Sequence, residues 1–125
     1  MTLTDFLLAR IAEDEAVARA ATDDGIQANG QHAHWREGPR GDCGCCSRVV
    51  GLGVDVDDRQ APHVARHDPA RVLAECEAKR RIVGLIGVAD SPEVHVDAFV
   101  CAQLAARHLA LPYADHPDYR EAWRP

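Results

Sequence analysis

The spacing of apolar residues changes twice along this chain, and that double change limits the folds it can adopt. From Thr2 to about Thr22, the residues Leu3, Phe6, Leu7, Ile11, Val17, Ala18 and Ala21 recur every three or four positions, the period of a helix with one apolar stripe. Asp14 is the one polar residue within that stripe. Thr2 with Asp5 three positions later forms a variant of the capping box, and Asp23-Asp24-Gly25 ends the segment. From Ile26 to Gln60 the period drops to two. Val50, Leu52, Val54 and Val56 alternate with Gly51, Gly53 and Asp55, which predicts a strand from Ser47 to Val56. A shorter strand is predicted from Gln31 to Arg36, with Ala33 and Trp35 on one side and His32 and His34 on the other. From Ala61 the helical period returns.

Glu37-Gly38-Pro39-Arg40-Gly41-Asp42-Cys43-Gly44-Cys45-Cys46 separates the two strands and is dense in turn residues. The expected unit is a two-stranded antiparallel hairpin with a long, ordered tip. Two strands alone are marginal, so the hairpin must pack on a helix. Pro62 opens a short helix ending near His67, and Asp68 then caps a long helix with Pro69 in its first position. Val72, Leu73, Cys76, Val83 and Ile86 mark the inner face of that helix, and Gly84 and Gly87 are expected to help end it. Ser91-Pro92-Glu93 repeats the cap signature and opens a third long helix to about Leu111, where Pro112 stops it. Its broad apolar face of Val94, Phe99, Val100, Cys101, Leu104, Ala105 and Leu109 marks it as the most buried helix. Tyr119 and Trp123 are spaced to lie back on the core. A chain of 125 residues suits one core and needs neither disulfide nor metal merely to fold. The prediction is a single α+β domain: N-terminal helix, two-stranded β-hairpin, two further long helices and an ordered tail.

Two segments carry a family resemblance. His67-Asp68-Pro69-Ala70-Arg71-Val72-Leu73-Ala74-Glu75, followed by Glu77-Ala78-Lys79-Arg80-Arg81-Ile82, resembles an actinobacterial family of small uncharacterised proteins that is found also in actinophages. The closing Leu111-Pro112-Tyr113-Ala114-Asp115-His116-Pro117-Asp118-Tyr119, with Trp123 behind it, is similar to that family's ending. The resemblance covers most of the chain and implies no particular activity. Many members place cysteines between the second and third long helices; here Ile82 to Val100 holds none, and the cluster sits in the hairpin.

Charge narrows the partners. The net charge of −6 argues against nucleic-acid binding, which needs a basic face. The nearest basic run, Lys79-Arg80-Arg81, follows Glu75 and Glu77 and suits a solvated helix face. No apolar stretch approaches the ~20 residues of a membrane span, and the N-terminus has no basic-then-apolar leader, so no membrane partner and a cytoplasmic location are expected. The partners left are another protein or a second copy of this chain.

Five cysteines in a reducing compartment suggest metal ligands, redox groups or core residues rather than disulfides. Cys43 and Cys46 have the C-x-x-C spacing that grips one tetrahedral Zn²⁺ from a tight turn. His32 and His34, on one face of the first strand, can complete a Cys₂His₂ set if the hairpin brings that face to the turn. Cys45 has no part in this reading. Thiolate with imidazole selects Zn²⁺ over the hard cations, although free thiols in the turn and a redox pair are open alternatives. Redox pairs normally sit at a helix N-terminus, whereas this pair precedes a strand.

His63 and His67 lie four apart on one helical face, but Val64 stands where a zinc protease needs Glu, and the pair suits a helix junction. Cys76 and Cys101 are read as small core hydrophobes. Asp115, His116 and Asp118 read as a turn, since no activated nucleophile accompanies them. The function expected is a noncatalytic binding or accessory module, with or without a structural zinc. The alternative is a small zinc-dependent hydrolase at the hairpin–helix junction, with water in the fourth metal position.

Overall fold

Thr2 and Asp5 start the first helix in the computed structural model, which describes residues 1–22, 34–89 and 96–125. The Asp5 carboxylate accepts from the Thr2 N–H at 2.9 Å and the Thr2 hydroxyl at 2.7 Å, while the Asp5 N–H donates to the Thr2 hydroxyl at 3.1 Å. The cap bonds, that from the Thr2 backbone foremost, hold the Asp5 carboxyl below its usual range. The elements in chain order are α1 (Leu3–Ala20), β1 (Arg36–Arg40), β2 (Cys46–Val50), β3 (Val54–Asp57), α2 (Ala61–Arg66), α3 (Pro69–Ala89) and α4 (Val96–Ala110). Short 3₁₀ turns follow at Leu111–Tyr113 and Glu121–Trp123. Among the described residues, no helix is long and apolar enough to cross a membrane. The residues group into two compact units, Met1–Glu13 with Cys76–Pro125, and Asp14–Glu75.

In the first unit the core forms around Phe6, whose side chain is wholly buried. Its ring meets Tyr113, His116 and Tyr119 edge-on, with centroids 6.4, 5.7 and 6.0 Å away, and Trp123 at 5.0 Å. The C-terminal tail thus folds back on the start of α1, as the spacing of its aromatics predicts. Arg10, also buried, lies 5.3 Å over the Phe6 ring, donates to His116 Nδ1 at 2.7 Å and pairs with Glu13 at 2.6 Å. Lys79 reaches the Tyr113 hydroxyl at 3.4 Å.

Two expectations fail in this unit. α3 runs on through Gly84 and Gly87 to Ala89. A helix-interior glycine costs only ~1 kcal/mol against alanine, too little to end a helix that buries Val83 and Ile86. α4 is not deeply buried: Ala106 and Ala110 face inward, while Val100 is 48% and Leu104 45% exposed. Cys76 is buried, but Cys101 is exposed. A helix apolar all round leaves its inner face open, and α4 turns its short alanine stripe inward, away from the side carrying Val100, Cys101 and Leu104. Ser91-Pro92-Glu93, the expected cap of α4, lies outside the described residues.

The second unit holds a three-stranded antiparallel sheet in the order β1-β2-β3, where a two-stranded hairpin was expected. The predicted long strand is interrupted by a tight turn. Gly51 and Gly53 adopt φ of +100° and +78°, and the Gly53 N–H donates to the Val49 carbonyl at 2.9 Å, so the chain reverses between β2 and β3. A Cβ on Gly51 would stand 2.5 Å from the His34 carbonyl oxygen, so only glycine fits there. Residues 31–33 of the predicted first strand lie outside the described residues, and β1 covers the Gly- and Pro-containing segment Arg-Glu-Gly-Pro-Arg. Pro39 is tolerated because β1 is an edge strand whose register shifts between Glu37 and Arg40. The sheet does pack on a helix, α2, which touches β1 and β2. Asp68 caps α3 as expected, accepting from the Arg71 N–H at 2.7 Å; its other oxygen accepts from the Trp35 N–H at 3.2 Å.

Phe6→Ala should destabilise the protein by ~3–5 kcal/mol in urea unfolding and remove the Trp123 near-ultraviolet signal. Val17→Ala, at a helix position 72% exposed, should stay within ~0.5 kcal/mol of the parent.

Candidate metal centre

The turn joining β1 to β2 is closed by two backbone bonds, Gly41 N–H to the Cys46 carbonyl at 2.7 Å and Gly44 N–H to the Gly41 carbonyl at 3.0 Å. Asp58 N–H donates to the Cys45 carbonyl at 3.0 Å, fixing the turn to the end of β3. Arg40 pairs with Asp58 beside it. Gly44 takes φ of +69°, and this left-handed step lets three neighbouring side chains turn to one side. The thiols of Cys43, Cys45 and Cys46 lie within 4.8 Å of one another, with the Cys45 and Cys46 sulfurs 3.7 Å apart. Zn–S bonds of ~2.3 Å in a tetrahedron place sulfurs about 3.8 Å from each other, so this spacing suits one metal ion with little movement. Cys43 and Cys45 are exposed and Cys46 is half-buried.

Cys43 and Cys46 differ in acidity because Cys43 accepts hydrogen bonds where Cys46 donates one. The Cys45 backbone N–H, and after it the Cys45 and Cys46 thiols, stabilise a thiolate on Cys43 and bring it down to about 7. Cys46, whose proton is held first by Cys43 and then by Cys45, is pushed up to about 12, with burial and the neighbouring negative charges adding to the effect.

The structure therefore brings Cys43 and Cys46 together and adds Cys45, which spacing alone left without a role. Consecutive side chains of a regular strand point to opposite faces, and the Gly44 turn removes that constraint. It does not bring His34 to them. His34 precedes β1 and lies 3.5 Å from the Asp68 carboxylate, whereas the thiols follow the far end of that strand. β1 runs five residues, and its first and last Cα atoms stand ~13 Å apart at strand rise. His32 lies outside the described residues. His63 and His67 stack with ring centroids 4.5 Å apart at the exposed junction of α2 and α3, and neither is among the clustered ligands. His116 belongs to the packing around Phe6, within a turn whose Tyr119 N–H bonds the His116 carbonyl at 2.9 Å.

Fold and turn together define a small α+β protein that carries a three-thiol cluster able to bind a metal ion. The chain belongs to a family of unknown function, DUF6221, whose profile matches residues 1–125. No curated protein and no solved structure matches it.

Alkylation should occur first at Cys43, with a rate that rises through pH 7, because thiolate forms there as pH passes its lowered pKa. Cys46→Ala should move that midpoint upward by removing a donor. Peptide mass spectrometry after timed iodoacetamide treatment checks both; equal rates at Cys43, Cys45 and Cys46 would contradict the arrangement.

Proposed function

We propose that this chain is a noncatalytic binding or accessory module that holds Zn²⁺ at Cys43, Cys45 and Cys46. One observation carries the reading: three sulfurs from a single closed turn lie within 4.8 Å of one another. Thiolates favour Zn²⁺ over the hard cations. The fourth position falls to water or to a donor from another molecule. Among the described residues no other His, Cys, Asp or Glu joins the three.

A binding role fits this position better than hydrolysis. A catalytic zinc needs a cleft beside its open position, whereas Cys43 and Cys45 stand exposed on a turn. The cavity of about 230 Å³ in the same unit is lined by Val17, Ala18, Trp35, His67, Pro69 and Val72 among others, and no cysteine. The thiols suit a reducing cytoplasm, where this reading places the protein. A net charge of −6 makes another protein, rather than nucleic acid, the fitting partner.

Cobalt titration of the reduced protein, with zinc back-titration, tests the reading. The expected result is one equivalent bound, with a thiolate-to-cobalt charge-transfer band at the intensity of three thiolates. Cys45→Ser should lower that intensity to two thiolates, and Cys43→Ser/Cys46→Ser should abolish stoichiometric binding. Chelation should leave the helical circular dichroism intact, because none of the helices includes these cysteines. Absence of the band, or a band undiminished in the double variant, would overturn the assignment. Ester hydrolysis by the zinc-loaded protein that disappears in the double variant would favour the zinc-dependent hydrolase instead.

A further inference from the structure

The solvent side of α4 carries apolar residues that run against burial. Ala98, Val100, Cys101, Leu104 and Ala105 are all exposed, with Leu111 exposed just beyond the helix. A helix on the surface of a monomer would ordinarily put charged residues there. The charged side chains along this face are placed at its ends: Asp97 in the first turn and Arg107 in the last.

The spacing of these residues has a symmetry. Val100 and Leu104 stand two positions either side of Ala102, and Asp97 and Arg107 stand five positions either side of it. At 100° per residue, Asp97, Val100, Leu104 and Arg107 also fall along one narrow row of the helix. When two copies of α4 cross antiparallel about a two-fold axis at Ala102, Val100 of each copy lies against Leu104 of the other. Asp97 of each copy then lies against Arg107 of the other, twice over. A like-with-like surface of this kind is what an isologous dimer requires. Cys101 flanks this row and stands one position from the axis. A parallel pairing would set Asp97 against Asp97 and Arg107 against Arg107. We infer that this face of α4 binds a second copy of the same chain in antiparallel, two-fold fashion.

This inference is independent of the zinc reading, since its residues and those of the thiol turn belong to different units. One helix face is smaller than the ~800 Å² per partner of a standard interface, so association is expected in the micromolar range rather than below it.

Sedimentation equilibrium with reductant, from about 10 µM to about 1 mM protein, reads the mass directly. The expected result is a rise from 13.6 kDa toward twice that value. Asp97→Arg alone and Arg107→Asp alone should each weaken association at least about tenfold, because each sets like charges against each other at two places. The combined D97R/R107D variant should restore it, since the pairs re-form with their signs exchanged. If the two charges served only each helix's own dipole, the reversals would leave the mass unchanged. With Cys43, Cys45 and Cys46 replaced by serine, mild oxidation should give a disulfide-linked dimer through Cys101, as Cys76 is buried. Circular dichroism of each variant establishes that it is folded. A monomer throughout the range, a dimer indifferent to both single reversals, or a double variant that fails to recover would overturn the proposal.

Discussion

The ring of Phe6 is the contact on which the first unit depends. Its place follows from the helix start: the reciprocal Thr2–Asp5 bonds set where α1 begins, and that start sets the direction in which Phe6 points. Tyr113, His116, Tyr119 and Trp123 all approach this one ring, so fifteen residues of tail without a long helix are ordered by a side chain more than a hundred positions away. Tilted and edge-on pairs of this kind contribute ~0.5–1.5 kcal/mol each beyond the area they bury. Arg10 adds a polar layer at the same place. A buried guanidinium needs partners, and here its two terminal nitrogens face His116 and Glu13 with the cation over the Phe6 ring, while its buried Nε has none among the described residues.

What could be read from the chain beforehand was the chemistry of its helix starts. Thr2 with Asp5 and Asp68 with Pro69 work through bonds within three residues, so no distant partner can overrule them. The sheet was less legible because Gly51-Leu52-Gly53 preserves the alternation of a strand while its two glycines take left-handed conformations that end one. Period-two patterning records which side chains share a face and is silent about where the backbone reverses. β1 was missed for the opposite reason. Its Gly and Pro look like a turn, and only the edge position and bulge make them acceptable. In α4 the apolar residues were visible but their burial was not, because burial depends on what stands opposite.

The thiol turn shows the same division. The C-x-x-C spacing marked Cys43 and Cys46, and the structure sets them together; Cys45 joins them through the left-handed Gly44, a conformational detail that spacing does not express. All three sulfurs come from four consecutive positions, so little further chain must be ordered to assemble them. Imidazoles from the start of the sheet would have to span the length of β1, and His34 is instead engaged with Asp68 at the entrance to α3.

The two outer strands of the sheet have a consequence for what this protein can be built into. Among the described residues the sheet has three strands, and its two outer strands are the edges that another chain could extend. β1 interrupts its row with Pro39 and a register shift, flanked by Arg36, Glu37 and Arg40; β3 is four residues long with Asp55 and Asp57 in it. Neither margin is a template for a further strand. Fibrillar stacking and strand exchange between copies through these two margins are therefore disfavoured.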